Sequence, residues 1–321
     1  MDVRTVRYYV NAIISPLGIV FNCLLLYAVA TKTNNQMSKY RKVIYLGIII
    51  DLIFGIGATV FAPSTATYDG LFFITLDGLA GHLQSPFITY GYVYIVFANY
   101  LTVTALPVQY IYRLLVVCFN KNIKWHFFTI LFSFSLGACL FLSWECLIVP
   151  AETITPIMDD KVRIIGWADP VTHELPAYGV TQLIYVVNVL YTGYFIIFIS
   201  YLIIILCSIA VFFKFKRQLM LTTLDFKIHR QITLVLMIEA LTPFITIVLP
   251  ILSDLVTASL RIDASALGPA RKILTCMHPF FNPILKCFII GDCRKAFMSL
   301  LRFLLIRENP DTVVTIRTVH I

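Results

Sequence analysis

The chain has 321 residues, of which 59% are hydrophobic and only 13% are charged, and it carries a net charge of +8. Because soluble domains have about a quarter charged residues, water is not its main solvent. The basic residues lie in short clusters between apolar runs and form no single patch or stripe, which argues against nucleic acid as a partner. We therefore expect a protein that lies in membrane lipid.

Apolar runs alternate with short polar segments along most of the chain. Each run has about 20 residues or more, enough for a helix to cross a hydrocarbon core of roughly 30 Å. The first run has no convincing cleavage site, so we expect it to stay in the mature protein as a signal anchor. The pattern predicts an all-α membrane protein with a seven-transmembrane helix bundle, whose spans cover residues 8–30, 43–61, 88–117, 127–149, 183–213, 232–255 and 266–290. The last span is the weakest, because Arg271 and Lys272 lie near its start.

Lysine and arginine are concentrated after the first, third and fifth spans and in the C-terminal tail. The positive-inside rule places these segments in the cytoplasm and the N-terminus outside. Acidic residues show the opposite bias, which agrees with this orientation. Residues 1–290 are thus predicted to form the transmembrane domain, and residues 291–321 a cytoplasmic helix and tail.

The start of the tail has the pattern of a short amphipathic eighth helix. Asp292 is a candidate N-cap, and apolar residues recur at positions 293, 296, 297, 300, 301 and 304, the spacing of one helical face. Basic residues on the other face would suit an inner membrane surface with anionic lipids. Cys293 is placed where acylation occurs, although a free cysteine is the simpler interpretation.

The longest outer segment runs from Pro150 to Gln182 and contains four prolines that prevent a long helix. It is interpreted either as a lid over the bundle or as a tolerated surface loop. The outer segment after the second span contains the apolar stretch GLFFIT, residues 70–75, which is expected to fold back against the bundle.

Ionisable residues inside spans are costly, at roughly 2.5 to 3.5 kcal/mol each near a helix centre, and therefore tend to face the bundle interior or water. Asp51 is placed for an internal polar network, and Glu145 lies near the outer end of the fourth span. Glu239 lies four residues before Pro243, which should bend the sixth span. For all three, a static hydrogen-bonded role and a switching or ligand-binding role remain open.

Arg113 ends a long stretch, back to Lys42, that contains no lysine or arginine. At the inner end of the third span its guanidinium can reach the membrane interface and anchor the helix there. Alternatively, it can take a direct part in the function of the protein.

No signature of an enzyme or a cofactor site is found. The chain has no His-Glu-x-x-His, no Gly-x-Ser-x-Gly and no phosphate-binding Gly-Lys-Ser/Thr motif. Its eight cysteines fall mostly within apolar runs and show neither a disulfide framework nor a metal-binding spacing. We therefore expect no catalytic residue, no metal and no cofactor.

Four stretches taken together, in their order along the chain, resemble the nematode seven-transmembrane serpentine chemoreceptors of the Str superfamily. They are SKYRKVIYLGIIIDLIF, PVQYIYRLL, LDFKIHRQITLVLMIEALTPFITIVLP and HPFFNPILKCFIIGDCRKAF. The chain departs from the broader rhodopsin-like receptors in having Tyr112, not an acid, before Arg113, and Lys286 where those receptors have a tyrosine. It also lacks cysteines for their usual outer disulfide.

The resemblance implies a chemosensory G-protein-coupled receptor of the plasma membrane, with the membrane of a sensory cilium as one location. Such a receptor binds an external small molecule or a pheromone-like stimulus, for olfaction or related sensory transduction, and activates a heterotrimeric G protein. On this basis the expected ligand-binding residues are Tyr90, Tyr94, Glu145, Tyr185, Asn188 and His278. The expected coupling and switch residues are Tyr112, Arg113, Lys216, Arg217, Lys227, Arg230, Glu239 and Pro243.

Two other functions fit a bundle of bent helices. A ligand-gated olfactory channel subunit would have the inverted topology, which the distribution of basic residues opposes. A small-molecule transporter should show two repeated halves with helices interrupted at matching positions, and the sequence shows no such symmetry.

Overall fold

The computed structural model describes residues 3–32, 41–119, 125–168, 172–217, 233–234, 236–260, 268–289 and 294. The predicted eighth helix and Cys293 lie outside these residues. The helices, in chain order, are α1 (Val3–Lys32), α2 (Arg41–Val60), α3 (Phe87–Phe119), α4 (Trp125–Leu147), α5 (Pro156–Ile164), α6 (Leu183–Arg217), α7 (Leu236–Ser259), α8 (Gly268–Cys276) and α9 (His278–Ile289).

Six of the described helices, α1 to α4, α6 and α7, are long and apolar enough to cross a membrane. Helix α3 is central to the bundle, since 72% of its apolar segment is buried, against 28% for α4 and for α6. The outward faces of α4 and α6 carry large exposed apolar side chains, such as Phe134, Trp144, Phe195 and Phe198. Such faces suit lipid, because hydrocarbon does not penalise their exposure.

The seventh predicted span, residues 266–290, is divided between α8 and α9 and is not one continuous helix. The break falls at Met277, two residues before Pro279. Proline has no N–H, so Pro279 cannot continue the helical hydrogen-bond ladder back onto α8. Helix α1 packs against this break: a Cβ on Gly18 would lie 3.0 Å from the Pro279 carbonyl, and the Asn22 amide donates to that carbonyl at 2.9 Å.

One end of the bundle is covered by a three-stranded antiparallel sheet that the sequence did not predict. Its strands are β1 (Pro63–Tyr68), β2 (Leu71–Leu76) and β3 (Tyr178–Gln182), paired in the order β1-β2-β3. Asp69 and Gly70 connect β1 to β2 with φ angles of 50° and 70°. Two successive residues with positive φ are what a two-residue type I′ hairpin requires. We call this end of the bundle the sheet end.

Strand β2 is apolar on both faces because it lies between two layers. Phe72, Ile74 and Leu76 pack toward the bundle, against Ile88 of α3. Phe73 points the other way, into a cluster with Val162, Trp167, Tyr178 and Val180. Alternate residues of a strand face opposite sides, so one strand fastens the sheet to the bundle and α5 to the sheet.

The predicted outer segment from Pro150 to Gln182 is therefore largely structured. Helix α5 begins at Pro156, a position where the missing N–H of proline costs nothing. The Tyr178 hydroxyl donates to Asp159 Oδ1 at 2.6 Å and joins β3 to α5. Burial and the contact with Asp159 raise the pKa of Tyr178, which keeps this hydroxyl a donor.

Candidate functional site

A cluster of ionisable and polar side chains lies buried in the middle of the bundle. Lys286 Nζ lies 2.7 Å from Glu239 Oε1 and 3.6 Å from Asp51 Oδ2. The Asn282 amide donates to Asp51 Oδ2 at 2.6 Å, and His278 Nε2 lies 3.3 Å from Asp51 Oδ1. All five side chains are buried. We call these five residues the polar cluster, which joins α2, α7 and α9.

Helical spacing accounts for the contribution of α9. His278, Asn282 and Lys286 follow one another at intervals of four residues, which places them on one face of the helix. Gly47 of α2 makes room for the lysine, because a Cβ there would lie 2.9 Å from Lys286 Nζ. The ammonium therefore reaches between two carboxylates that come from different helices.

The charges of the polar cluster explain why its members stay together. Two carboxylates and one ammonium lie among apolar helices, where an isolated charge is strongly penalised. Removing one partner from such a group costs about 3 to 5 kcal/mol, because the remaining charge stays buried. The cluster thus couples the positions of three helices, as the predicted internal network at Asp51 requires.

Helix α7 changes its hydrogen-bond pattern next to this cluster. Phe244–Val248 forms a π-helical turn directly after Pro243, and the Leu249 N–H bonds to the Phe244 carbonyl. Such turns insert an extra residue into a helix and commonly mark functional positions. Thr246 of this turn lies 3.2 Å from His278 Nδ1, so the turn contacts the polar cluster directly.

Contacts from α3 and α6 hold the half of α7 that lies away from the sheet end. The Tyr110 hydroxyl donates to the Leu236 carbonyl at 2.8 Å, and the Tyr201 hydroxyl to the Ala240 carbonyl at 3.0 Å. The Arg113 guanidinium donates to the hydroxyl of Thr233, three residues before α7 begins. Arg113 is only 4% exposed, so its side chain lies inside the bundle in this structure. Its hydrogen bond to Thr233 draws it into the bundle.

A cavity of about 120 Å³ lies between the polar cluster and the sheet. Its walls come from α3, α4, α6, α7 and α8, and Pro63 and Thr65 of β1 and Phe72 of β2 cover it. Ile247 of the π-helical turn and Pro250 belong to its α7 wall. The cavity and the polar cluster therefore contact the same turn of α7. We call it the helix cavity.

A second cavity of about 80 Å³ lies beside the first, under β2 and β3. Its lining includes Ile74, Glu152 and Tyr178, and is otherwise mainly apolar. Five residues line both cavities: Phe72, Tyr92, Cys146, Val186 and Val189. These side chains form a thin partition between the two spaces.

None of the six predicted ligand-binding residues lines the helix cavity. Tyr90 and Tyr185 are 54% and 40% exposed, and Asn188 is also exposed. The Tyr94 hydroxyl donates to the Ile53 carbonyl of α2 at 2.9 Å. Glu145 is partly buried, and its Oε2 has no hydrogen-bond partner among the described residues. His278 belongs to the polar cluster.

Neighbours of these residues in sequence do line the cavity, namely Tyr92, Cys146, Val186 and Val189. Five of the six predicted residues, all except His278, thus lie on helices that line the cavity, but on other faces of those helices. Asn99, Asp254, Arg271 and Lys272 also line it and were not predicted as ligand-binding residues. The sequence did contain a signal for Asp254, because it is an acidic residue inside an apolar run. The ligand-binding role of the six residues stays a prediction.

The predicted coupling residues are only partly described. Tyr112 is buried and packs edge-to-face on Phe128 of α4, with ring centroids 5.6 Å apart. Glu239 is in the polar cluster, and Pro243 precedes the π-helical turn. Lys216 and Arg217 end α6, but their side chains, like Lys227 and Arg230, lie outside the described residues. The coupling roles therefore stay predictions.

The described ranges contain no group of three His, Cys, Asp or Glu side chains arranged to hold a metal ion. The cysteines in those ranges are free thiols.

A comparison with protein families adds an independent finding. The model of the family described as serpentine type 7TM GPCR chemoreceptor Str matches residues 7–298. Because this match covers most of the chain, the protein belongs to the Str family of chemoreceptors, which confirms the resemblance drawn from its sequence. No curated protein matches the chain.

Proposed function

We propose that this member of the Str family is a chemosensory receptor that binds an external small molecule in the helix cavity and activates a heterotrimeric G protein. The observation that carries the proposal is the shared use of one turn of α7. Ile247 lines the helix cavity, and Thr246, the residue before it, contacts His278 of the polar cluster. An occupant of the cavity therefore acts on the element that the polar cluster holds.

The switch follows from differential binding. A ligand shifts the balance between two bundle conformations only by its difference in affinity for them. A ligand that presses on Ile247 favours a bundle in which α7 has moved, and this movement changes the Thr246–His278 contact. Because Lys286 lies between Asp51 and Glu239, the ammonium can follow Glu239 as α7 moves and still remain paired.

The end of α7 that lies away from the sheet end transmits the movement. Tyr110, Tyr201 and Arg113 each hydrogen-bond to the sixth span or its start at rest. When α7 leaves α3, the Arg113 guanidinium loses its Thr233 partner and offers its donors to backbone carbonyls of the G protein. This arrangement requires the sheet end to face outside, as the distribution of basic residues predicts.

Membership in a chemoreceptor family favours this function over the channel and transporter alternatives. The experiment is a nucleotide-exchange assay in cells that express the receptor with a G-protein reporter. The cells are exposed to a panel of volatile ketones, organic acids and pheromone-like glycolipids. We expect the substitution Arg113→Ala to leave surface expression intact and to lower stimulus-dependent exchange by about tenfold, the loss that follows when one charged donor group is removed.

Arg163→Ala is the matched control. Arg163 lies on α5 at the sheet end and donates to the His173 carbonyl at 3.1 Å, on an exposed surface. Its loss should leave the response unchanged. Normal nucleotide exchange in Arg113→Ala would contradict the proposed role of Arg113. It would leave that residue with a structural role only.

A further inference from the structure

The second cavity has a mainly apolar lining. Its walls include Ile74 of β2, Val149 and Ile154. Glu152 is the one charged residue among the described lining residues, and its Oε1 accepts a hydrogen bond from the Gln182 amide at 2.7 Å. Water in such a space has few polar partners, so an apolar group that displaces it gains affinity. The lining therefore suits an alkyl chain.

Part of this space exists because Gly179 of β3 has no side chain. Gly179 lines the second cavity and lies opposite Ile74 in the antiparallel register. Ile74 faces the bundle, and residues directly opposite each other in a strand pair project from the same face of the sheet. A Cβ on Gly179 would have Ile88 Cγ2 of α3 as its nearest described neighbour, at 3.8 Å. The face of the sheet toward the bundle therefore leaves room at this point.

A partition of side chains separates the second cavity from the helix cavity. Phe72 of β2 and Tyr92 of α3 belong to it, and their rings meet edge-to-face with centroids 5.9 Å apart. Such a contact adds little beyond the burial of its two rings. A ligand chain that displaces one ring therefore joins the two cavities.

The helix cavity offers a polar anchor for such a ligand. Asn99 of α3 lines it, and Asn99 Oδ1 is buried without a hydrogen-bond partner among the described residues. Leaving a buried amide oxygen unpaired is costly, so a ligand that donates a hydrogen bond to it is favoured. A hydroxyl group supplies such a donor.

The volumes of the two cavities set the length of the ligand. A cavity of about 150 Å³ accommodates benzene, with its six carbon atoms. By the same proportion, the helix cavity, of about 120 Å³, holds about five non-hydrogen atoms, and the second cavity, of about 80 Å³, holds about three more. A chain of about eight non-hydrogen atoms therefore fills both spaces.

We propose that the two cavities form one elongated site for a straight-chain alcohol of about seven carbon atoms, with its hydroxyl at Asn99 and the end of its alkyl chain at Gly179. This inference rests on the proposed function and deepens it, since it takes the helix cavity as the ligand site of the receptor. It concerns binding alone, so it can be tested without the G protein.

The test is a ligand-observed NMR titration of the full chain in nanodiscs, with empty nanodiscs subtracted and affinities referred to the free aqueous alcohol. The probes are butan-1-ol, which fills the helix cavity alone, heptan-1-ol and decan-1-ol. Each methylene group added up to heptan-1-ol should raise the affinity about fourfold, the gain for one buried CH₂ group. Decan-1-ol should gain nothing further, although its partition into lipid continues to rise. An affinity that does not rise from butan-1-ol to heptan-1-ol, or that keeps rising at the same rate to decan-1-ol, would overturn the proposal.

Gly179→Val tests the position of the alkyl chain. The three carbon atoms of the new side chain fill a space of about three atoms, and valine favours a strand backbone. We expect the affinity for heptan-1-ol to fall at least about tenfold, and that for butan-1-ol to change less than about twofold. Gly137→Val is the control, because a Cβ on Gly137 of α4 meets open space, and it should change neither affinity. Equal changes for the two alcohols in Gly179→Val, or no change for either, would overturn the assigned position.

Asn99→Leu tests the position of the hydroxyl. Leucine has a similar size but no acceptor, so the affinity for butan-1-ol and for heptan-1-ol should fall alike, by about fivefold. Each variant lies in the same lipid as the unmodified protein, so partition into the bilayer cancels in the comparison. Unchanged binding of both alcohols, or a loss confined to heptan-1-ol, would contradict the contact with Asn99.

The two proposals fail in different ways. If the alcohols bind with this dependence on chain length but never promote nucleotide exchange, the site stands and the signalling function is wrong. If another stimulus promotes exchange through Arg113 while the alcohols show no binding beyond that of empty nanodiscs, the function stands and the inference about the elongated site is wrong.

Discussion

Lys286 lies at the centre of the polar cluster. Its ammonium contacts two carboxylates on different helices, at 2.7 Å and 3.6 Å, and its side chain is buried. A rhodopsin-like receptor has tyrosine at this position, so the resemblance alone did not assign it a role. Its position at the centre of the polar cluster makes it an internal cation tethered to α9.

The substitution Lys286→Met tests this role. Methionine preserves length and apolar volume but leaves Asp51 and Glu239 without their cation. We expect a loss of about 3 to 5 kcal/mol in stability, the cost of breaking a buried ion group, and a clear fall in the thermal denaturation midpoint. The measurement is tryptophan fluorescence during heating of the receptor in nanodiscs.

Lys161→Met is the matched control, because Lys161 also pairs with one carboxylate, Asp69, but on the surface. Surface pairs contribute about 1 kcal/mol or less, so this variant should melt close to the unmodified protein. The additional change Glu239→Gln should recover part of the loss in Lys286→Met. Equal, small shifts for the two lysine variants would contradict the account of the polar cluster.

Some members of the polar cluster were predictable from the sequence, and some were not. Asp51 and Glu239 were recognised as candidates for an internal network because a charge in an apolar run is rarely accidental. Lys286 was recognised in the sequence as a departure from the tyrosine of the rhodopsin-like receptors. The four-residue spacing from His278 to Lys286 was a usable signal. The pairing across 231 residues between Asp51 and Asn282 was not, because only the fold creates it.

The hairpin of β1 and β2 determines how the helix cavity is covered. Its turn depends on Gly70, whose φ of 70° lies in the left-handed region. The Leu183 N–H bonds to the Gly70 carbonyl at 3.0 Å, so the turn also positions the start of α6. A change in this turn therefore affects both the cover of the cavity and one of its walls.

Gly70→Ala tests the hairpin without adding a steric clash, because nothing lies within 4 Å of the new Cβ. The left-handed backbone costs an alanine about 1 to 2 kcal/mol. We expect faster hydrogen exchange of the β1 and β2 amides by about tenfold, measured by mass spectrometry. Gly137→Ala is the control: its Cβ also meets open space, but Gly137 lies within α4 with a helical backbone. Unchanged exchange in Gly70→Ala would contradict the assigned turn.

The sheet itself could have been predicted more fully. Asp-Gly between two runs of strand-forming residues is the strongest short hairpin signal. This hairpin signal did not lead to a strand prediction, because GLFFIT is apolar on both faces. It therefore lacks the alternation of apolar and polar residues that a half-buried strand shows. Phe72 and Phe73 face different layers, so the alternation is absent for a structural reason. The prolines correctly excluded a long helix between Pro150 and Gln182, but not the short α5 that begins on one of them.

On the scale of the whole molecule, the two ends of the bundle differ in structure. The sheet end has a structured cover, two cavities and the Arg271–Asp254 pair. The other end has Arg113 and the tyrosine contacts that hold α7. The polar cluster lies between them and connects the helices that both ends use. The proposed function uses this arrangement, with the stimulus at the sheet end and the G protein at the other end of the bundle.

Family membership and the six long membrane-spanning helices could be predicted at this scale, because hydropathy and motif order depend on the chain alone. The location of the cavity could not be predicted, because it depends on which faces of α3, α6 and α7 meet. Tyr92 and Tyr94 illustrate this point. They lie two residues apart on α3, yet one lines the helix cavity and the other bonds to α2.

The orientation of the bundle tests the account most directly, since the proposed function requires the sheet end outside and Arg113 inside. The measurement is antibody labelling of an epitope tag inserted between Asp69 and Gly70, on intact and then permeabilised cells, with a second tag after Ile321. We predict labelling of the hairpin tag on intact cells and of the C-terminal tag only after permeabilisation. Labelling of the C-terminal tag on intact cells, with the hairpin tag reached only after permeabilisation, would contradict the account.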